Sequence, residues 1–173
     1  VLIHGAFRGG WAWDEVAALL QERGWGVVAP TLTGCEPSSP RLGTRVHLAE
    51  WIDDVVRAVE AIGPEVDRVM LVGHSQGGIV TTAARAALGR RIDAVLHLDA
   101  PVPSDGQRGV DLNPPGVPAP PPDLDPALWI PARPVDAEQG FDDAAQASFV
   151  NERLVPTPIG PSLEPISLAG APA

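Results

Sequence analysis

The stretch Met70-Leu71-Val72-Gly73-His74-Ser75-Gln76-Gly77-Gly78-Ile79 decides how this chain is read. It contains Gly-x-Ser-x-Gly, with an apolar strand running into it and a helix leaving it, the context a nucleophile elbow demands. A serine in such a strand-to-helix turn sits in strained backbone, so the Ser75 hydroxyl projects from the carboxyl edge of a sheet. Gly73 and Gly77 lack Cβ atoms and let the neighbours of the turn approach. The start of the following helix aims free amides and a positive dipole end at any developing negative charge. The plainer alternative is a Ser-Gly turn capping an ordinary helix.

Working outward from the elbow, strand and helix signals alternate. Residues 1–4 form a short apolar run ended by Gly5, and 14–23 carry Val16, Ala17, Leu19 and Leu20 at helical spacing before Gly24. A second strand is expected over 25–29, ended by Pro30, and a Thr/Gly/Ser/Pro-rich loop over 31–45. Residues 47–62 give the clearest helix, with Leu48, Trp51, Ile52, Val55, Val56, Val59 and Ile62 in one apolar stripe. Strand 68–72, helix 77–88 and strand 92–98 follow. Apolar strands alternating with helices predict a parallel sheet with helices on both faces, a doubly wound α/β fold.

Proline divides the chain. Pro30, Pro37, Pro40 and Pro64 are the only ones in the first hundred residues, and the other 16 of the 20 lie from Pro101 onward. Proline removes an amide donor and breaks the interior of helices and sheets, so regular structure should concentrate before residue 101. Residues 113–125 (NPPGVPAPPPDLD) read as a stiff polyproline-like linker. Trp129 and Ile130 interrupt this region with apolar bulk, 141–154 can form one helix, and 155–173 show no convincing element.

His4-Gly5-Ala6 follows the first strand. In serine hydrolases built on such a sheet, one oxyanion-hole amide follows the nucleophile and the other comes from the loop after an early strand. These amides would be those of Gln76 and Ala6. Taken alone, His4-Gly5 would be a turn with a structural histidine.

The chain resembles the α/β-hydrolase superfamily, and within it the branch of small esterases that includes salicylate-type methyl esterases and hydroxynitrile lyases. The resemblance is carried by His4-Gly5-Ala6 through Trp11-Ala12-Trp13, by Ala29-Pro30-Thr31-Leu32-Thr33-Gly34, by Val72-Gly73-His74-Ser75-Gln76-Gly77-Gly78 and by Leu98-Asp99-Ala100-Pro101-Val102-Pro103. It covers essentially the whole chain and is strongest over 1–105. It implies an α/β-hydrolase fold with a core over 1–100, a Pro-rich lid over 101–154 and a return toward the core over 155–173. It implies Ser75 as nucleophile, Ala6 and Gln76 as oxyanion-hole donors, a small-molecule ester substrate and no cofactor. Phe7 and Trp129 are candidate pocket residues; Trp129 is equally read as a hydrophobic anchor for the lid.

A serine nucleophile needs a base, and the base an orienting acid, in the order Ser, Asp or Glu, His along this fold. Only His97 follows Ser75, inside a strand and with no room for an acid between; it reads as a core or pocket residue. Asp99 stands at a strand end and reads as a local turn. The expectation is therefore a fragment lacking its C-terminal part, cut also before Val1, whose acid and base lie beyond Ala173 and which alone is inactive. Two alternatives stay open: a hydroxynitrile-lyase-like enzyme, whose relatives carry Thr where this chain has Gly5, and a non-catalytic small-molecule-binding protein.

Composition narrows the rest. The 173 residues are 45% hydrophobic and 20% charged, ordinary for one soluble globular domain large enough to bury a core. The single Cys35 excludes a disulfide framework and Cys-rich zinc patterns. A net charge of −10 argues against nucleic acid, which needs a basic face. No apolar run approaches the roughly 20 residues of a membrane span, and no leader pattern opens the chain; a cytoplasmic location is expected. No metal-ligand spacing or nucleotide-binding loop is present, and oligomeric state is not legible. All 12 basic residues are Arg and there is no Tyr, which reads as base bias in the genome.

Overall fold

The computed structural model describes residues 1–113 and 116–169. Pro114 and Pro115, part of the expected polyproline-like stretch, and residues 170–173 of the expected return segment lie outside the described residues.

Three parallel strands form the central sheet in the order β1 (Leu2–Ile3), β2 (Met70–His74), β3 (Ala94–Leu98). Leu2 pairs with Val72, and Leu71 with Val95. The crossovers between them hold α1 (Asp14–Gln21), α2 (Leu48–Glu60) and α3 (Gly77–Leu88). The parallel sheet with crossover helices expected from the sequence is the one observed.

Helix α2 forms where the apolar stripe predicted it. The Glu50 carboxylate accepts the His47 amide at 2.9 Å, and the Glu164 carboxylate accepts the Leu48 amide at 3.0 Å, so two amides of its open N-terminus are satisfied. Gly63, at φ +88, turns the chain away after its last turn. Leu48, Trp51, Val55 and Val59 are buried against Val80, Ala83 and Ala84 of α3, and Ile3 and Leu71 of the sheet complete the core. These two helices cover one face of the sheet.

The opposite face is more open. Successive residues of a strand alternate faces, so Met70, Leu96 and Leu98 share it, and all three are exposed. The 3₁₀ turn Gly10–Trp13 meets this face, with the Trp13 ring edge-on to His74 at 6.3 Å. Helix α1 has no buried residue, and Val16 and Leu19 of its apolar stripe are exposed.

The strand expected over 25–29 does not form. Trp25 instead closes the end of α1, its amide donating to Leu20 O, and Val28 O accepts from Leu2 as the one bond from this segment to β1 among the described residues. A strand exists by its ladder, and a two-residue neighbour offers too few partners to build one.

After β3 the chain makes a 3₁₀ turn at Gly109–Leu112 and then the short strand β4 (Trp129–Ile130). Helix α4 (Ala144–Asn151) is N-capped by Asp143, whose carboxylate accepts the amides of Ala145 and Gln146. It docks through Phe149, edge-on to Trp11 at 5.9 Å, with the Arg153 guanidinium 3.8 Å over the Phe149 ring. Residues 155–169 are more ordered than the sequence suggests. They hold β5 (Thr157–Pro158), antiparallel to β4, and α5 (Gly160–Leu163). Next to α5, the chain returning from the proline-rich region runs beside the chain entering it: Gly106 donates to Ile166 O at 2.9 Å, and Ile166 to Gln107 O at 3.0 Å.

Candidate active site

The carboxyl ends of all three strands meet at one cleft of about 670 Å³. β1 delivers Ala6 and Phe7, β2 delivers Ser75 and Gln76, and β3 delivers Asp99, Ala100 and Pro101. The far wall is Gly109, Val110, Ile159 and Ser162, which the sequence reading did not anticipate. Of the residues expected at a site, Ala6, Phe7, Ser75 and Gln76 come together here.

Ser75 has φ +50, a left-handed backbone that a non-glycine residue adopts only where its surroundings impose it. Its amide donates to Leu98 O at 3.2 Å, and its carbonyl accepts from Gly78 at 2.9 Å. The glycines around it stand where no side chain fits. A Cβ on Gly77 would lie 2.5 Å from His4 O, one on Gly73 3.0 Å from Gly77 O, and one on Gly5 2.9 Å from Ser75 Cβ. The elbow is thus packed closely against the end of β1 and the loop that follows it, and against Thr81 of α3.

That loop is fixed by His4, which is 2% exposed. Nδ1 lies 2.8 Å from Gly5 O, a group that only accepts, so Nδ1 carries the proton; Nε2 then accepts the Leu32 amide at 3.0 Å. Burial, with lesser help from the nearby Arg8 and His74 charges and against the pull of the Gly5 carbonyl, drives its pKa down to about 4. The ring is neutral, with both nitrogens committed to the backbone.

Among the described residues no group accepts from the amides of Ala6 or Gln76. Both line the cleft that holds Ser75. Two unpaired backbone donors at the start of a helix and the end of an adjacent strand can bind an oxyanion. Phe7, at φ +67, is held differently: its amide donates to Thr157 Oγ1 at 2.6 Å, and its carbonyl accepts from Val155 at 3.1 Å.

No histidine hydrogen-bonds Ser75 among the described residues. His97 is on the face of β3 that meets α3, its Nδ1 close to where a Gly78 Cβ would be and without a partner. His74 sits beside Trp13, burial lowering its pKa. His47 faces Glu164 at the start of α2. Asp99, at φ +43, lines the cleft at the end of β3.

Trp129 is outside this cleft. Its indole donates to Thr44 O at 2.9 Å, and its ring fills the space beside Gly34, where a Cβ would fall 2.9 Å away. It pins β4 to the core. Cys35 is buried, and burial, reinforced by the charges of Glu36 and Asp54, pushes its thiol up to about 12. Among the described residues no cluster of three or more His, Cys, Asp or Glu is arranged to hold a metal, and no helix is long and apolar enough to cross a membrane.

Comparison with known proteins agrees with this architecture. A family model described as "Alpha/beta hydrolase family" matches residues 1–172. The chain is 34% identical over 183 residues to the "Carbendazim hydrolyzing esterase" of Nocardioides sp. (strain SG-4G), covering 98% of this chain and 73% of that protein. It is 35% identical over 112 residues to "Putative methylesterase 14, chloroplastic" of Arabidopsis thaliana, over 65% of this chain but only 32% of the relative. Among solved structures it superimposes with a TM-score of 0.70 on an extracellular alpha/beta-hydrolase from a Paenibacillus species, at 23% identity, covering 96% of this chain and 69% of that one.

Proposed function

The chain belongs to the alpha/beta hydrolase family, and from that premise we propose that it carries the nucleophile and oxyanion hole of a carboxylic-ester hydrolase acting by acyl transfer. One observation carries the reading: Ser75, held at φ +50, opens into the same cleft as the unpaired amides of Ala6 and Gln76.

In this reading the Ser75 hydroxyl attacks the ester carbonyl and its proton passes to a base. The carbonyl oxygen becomes an oxyanion between the Ala6 and Gln76 amides, the alcohol leaves with a proton, and water then releases the acid. Acyl transfer of this kind asks for no cofactor. The base and its orienting acid are assigned to chain outside these 173 residues. Two facts support that: His4, His47, His74 and His97 are all engaged or turned elsewhere, and the chain spans 73% of the length of its esterase relative. Residues 101–154 are assigned to a lid over the acyl side, which contributes Gly109 and Val110 to the wall of the cleft.

Apart from Asp99 the cleft lining is uncharged, with Phe7, Ile79, Val110 and Ile159 as apolar walls. A neutral small-molecule ester fits this lining better than an anionic one, which would meet the Asp99 charge without a cation to offset it. The names of the relatives, a carbendazim-hydrolysing esterase and a putative methylesterase, point the same way, toward a small ester such as a methyl ester. Gly5 favours hydrolysis over the lyase alternative: a Thr there would drive its Cβ to 2.9 Å from that of Ser75.

The test is hydrolysis of p-nitrophenyl butyrate by the complete gene product, by its Ser75→Ala variant and by residues 1–173 alone. Turnover by the complete protein, lost in Ser75→Ala and absent from residues 1–173, is the expected result. Turnover unaffected by Ser75→Ala overturns the proposal. Ser75-dependent turnover by residues 1–173 moves the base inside the chain, to His97.

A further inference from the structure

One short segment touches both halves of the oxyanion hole. On one side Thr157 Oγ1 accepts the Phe7 amide at 2.6 Å, and Val155 donates to Phe7 O at 3.1 Å, gripping the residue next to Ala6. On the other side Ser162 Oγ accepts from Gln76 Nε2 at 2.8 Å, gripping the residue that supplies the second amide. Thr157 and Ser162 are 1% and 4% exposed, so each hydroxyl is packed in place against its partner.

The segment is itself anchored. β5 pairs with β4, and the Glu164 carboxylate, two residues after Ser162, accepts from Arg45 at 2.8 Å and from the Leu48 amide at 3.0 Å. Gly160 is seated so closely on the core that a Cβ there would come within 2.3 Å of Val46 O. Phe7, left-handed at φ +67, is a strained residue that needs outside support, and the two bonds to residues 155–157 supply it.

We propose that residues 155–162 form a clamp that sets the spacing of the Ala6 and Gln76 amides, with Thr157 and Ser162 as positioning residues for the oxyanion. The inference rests on the reading of Ser75 and these amides given above. Among the described residues neither side chain hydrogen-bonds Ser75. Thr157 holds the neighbour of one oxyanion donor and Ser162 the side chain of the other, so the loss of either displaces a donor that acts only in the transition state. Because a displacement of about 1 Å in such a site can cost on the order of 100-fold in rate, loosening either grip should lower kcat and leave substrate binding nearly unchanged.

The experiment measures kcat, KM and Tm for p-nitrophenyl butyrate in the complete gene product and its Thr157→Val, Thr157→Ser, Ser162→Ala and Ser75→Ala variants. Thr157→Val and Ser162→Ala are expected to lower kcat by about 10- to 100-fold with KM within about twofold, and Thr157→Ser, which keeps the hydroxyl, to recover most of the rate. Unchanged kcat in Thr157→Val and Ser162→Ala, alongside an inactive Ser75→Ala, overturns the clamp and leaves the reading of Ser75 standing. A fall in Tm with kcat intact in the surviving folded fraction also overturns it, showing the bonds to be structural only. Turnover indifferent to Ser75→Ala removes both proposals together.

Discussion

The Leu32 amide donates to His4 Nε2 at 3.0 Å, tying the loop after β1 to a loop 28 residues further on. The bond exists only while the ring is neutral, which gives stability a sign in pH. His4 has its pKa lowered from 6.5 to about 4, so the unfolded chain binds a proton over this window that the folded chain refuses. Its contribution is complete above pH 6.5 and is lost as pH falls toward 4, amounting to about 3 kcal/mol in all. His74 and His97, also lowered by burial, add in the same direction. Urea unfolding at several pH values is expected to show stability falling between pH 6.5 and 4, and His4→Gln should flatten that slope.

The Cys35 thiol should be silent in the folded protein. With its pKa at about 12 and its side chain buried, it presents almost no thiolate at neutral pH. Titration with a chromogenic disulfide is expected to report essentially no reaction under native conditions and one full equivalent in denaturant. Rapid native labelling would contradict the packing of the turn that Cys35 closes on Leu32 O.

Gly77→Ala tests the fit of the elbow against β1. The new Cβ would lie 2.5 Å from His4 O and 2.9 Å from Ile3 O, both backbone atoms that move only with the strand. The expected cost is about 1–3 kcal/mol of stability, read by chemical denaturation, together with loss of esterase activity in whatever remains folded.

Trp129→Phe separates an anchor from a pocket residue. The substitution leaves Thr44 O without its donor and opens space beside Gly34, which should lower stability by about 1–2 kcal/mol. Since the indole lies outside the cleft, KM for a small ester should stay within about twofold of the parent. A large rise in KM without loss of stability would return Trp129 to the pocket.

The order of elements around Ser75 is legible in the sequence because each carries its own local signal. The α2 stripe repeats with the helical period, and the elbow places glycines where backbone meets backbone. The strand expected at 25–29 fails for the opposite reason: its residues are apolar enough, but a strand depends on a partner, and β1 has only two paired residues. Thr157 and Ser162 were invisible because hydroxyls scattered among prolines carry no periodicity. Their roles arise from contacts with Phe7 and Gln76 across 150 and 86 residues. Gly160 was the one local hint of close approach in that segment. Trp129 announced burial by its size, though nothing in its neighbours said against what.

Gly106 donates to Ile166 O, Ile166 donates to Gln107 O and Leu168 donates to Asp105, which closes the intervening chain into a loop. The two ends of the intervening chain are sewn together next to α5, while its later part reaches back to Phe7 and Gln76. Lengthening a closed loop is inexpensive in entropy, roughly 0.6 kcal/mol for each doubling. Changes of length within the mostly exposed residues 116–125, away from the contacts to Phe7, Gln76 and Trp11, should therefore cost little stability. The seam makes residues 116–125 the exchangeable part, whereas a graft across the whole excursion would also replace Thr157 and Ser162 and release Phe7 and Gln76.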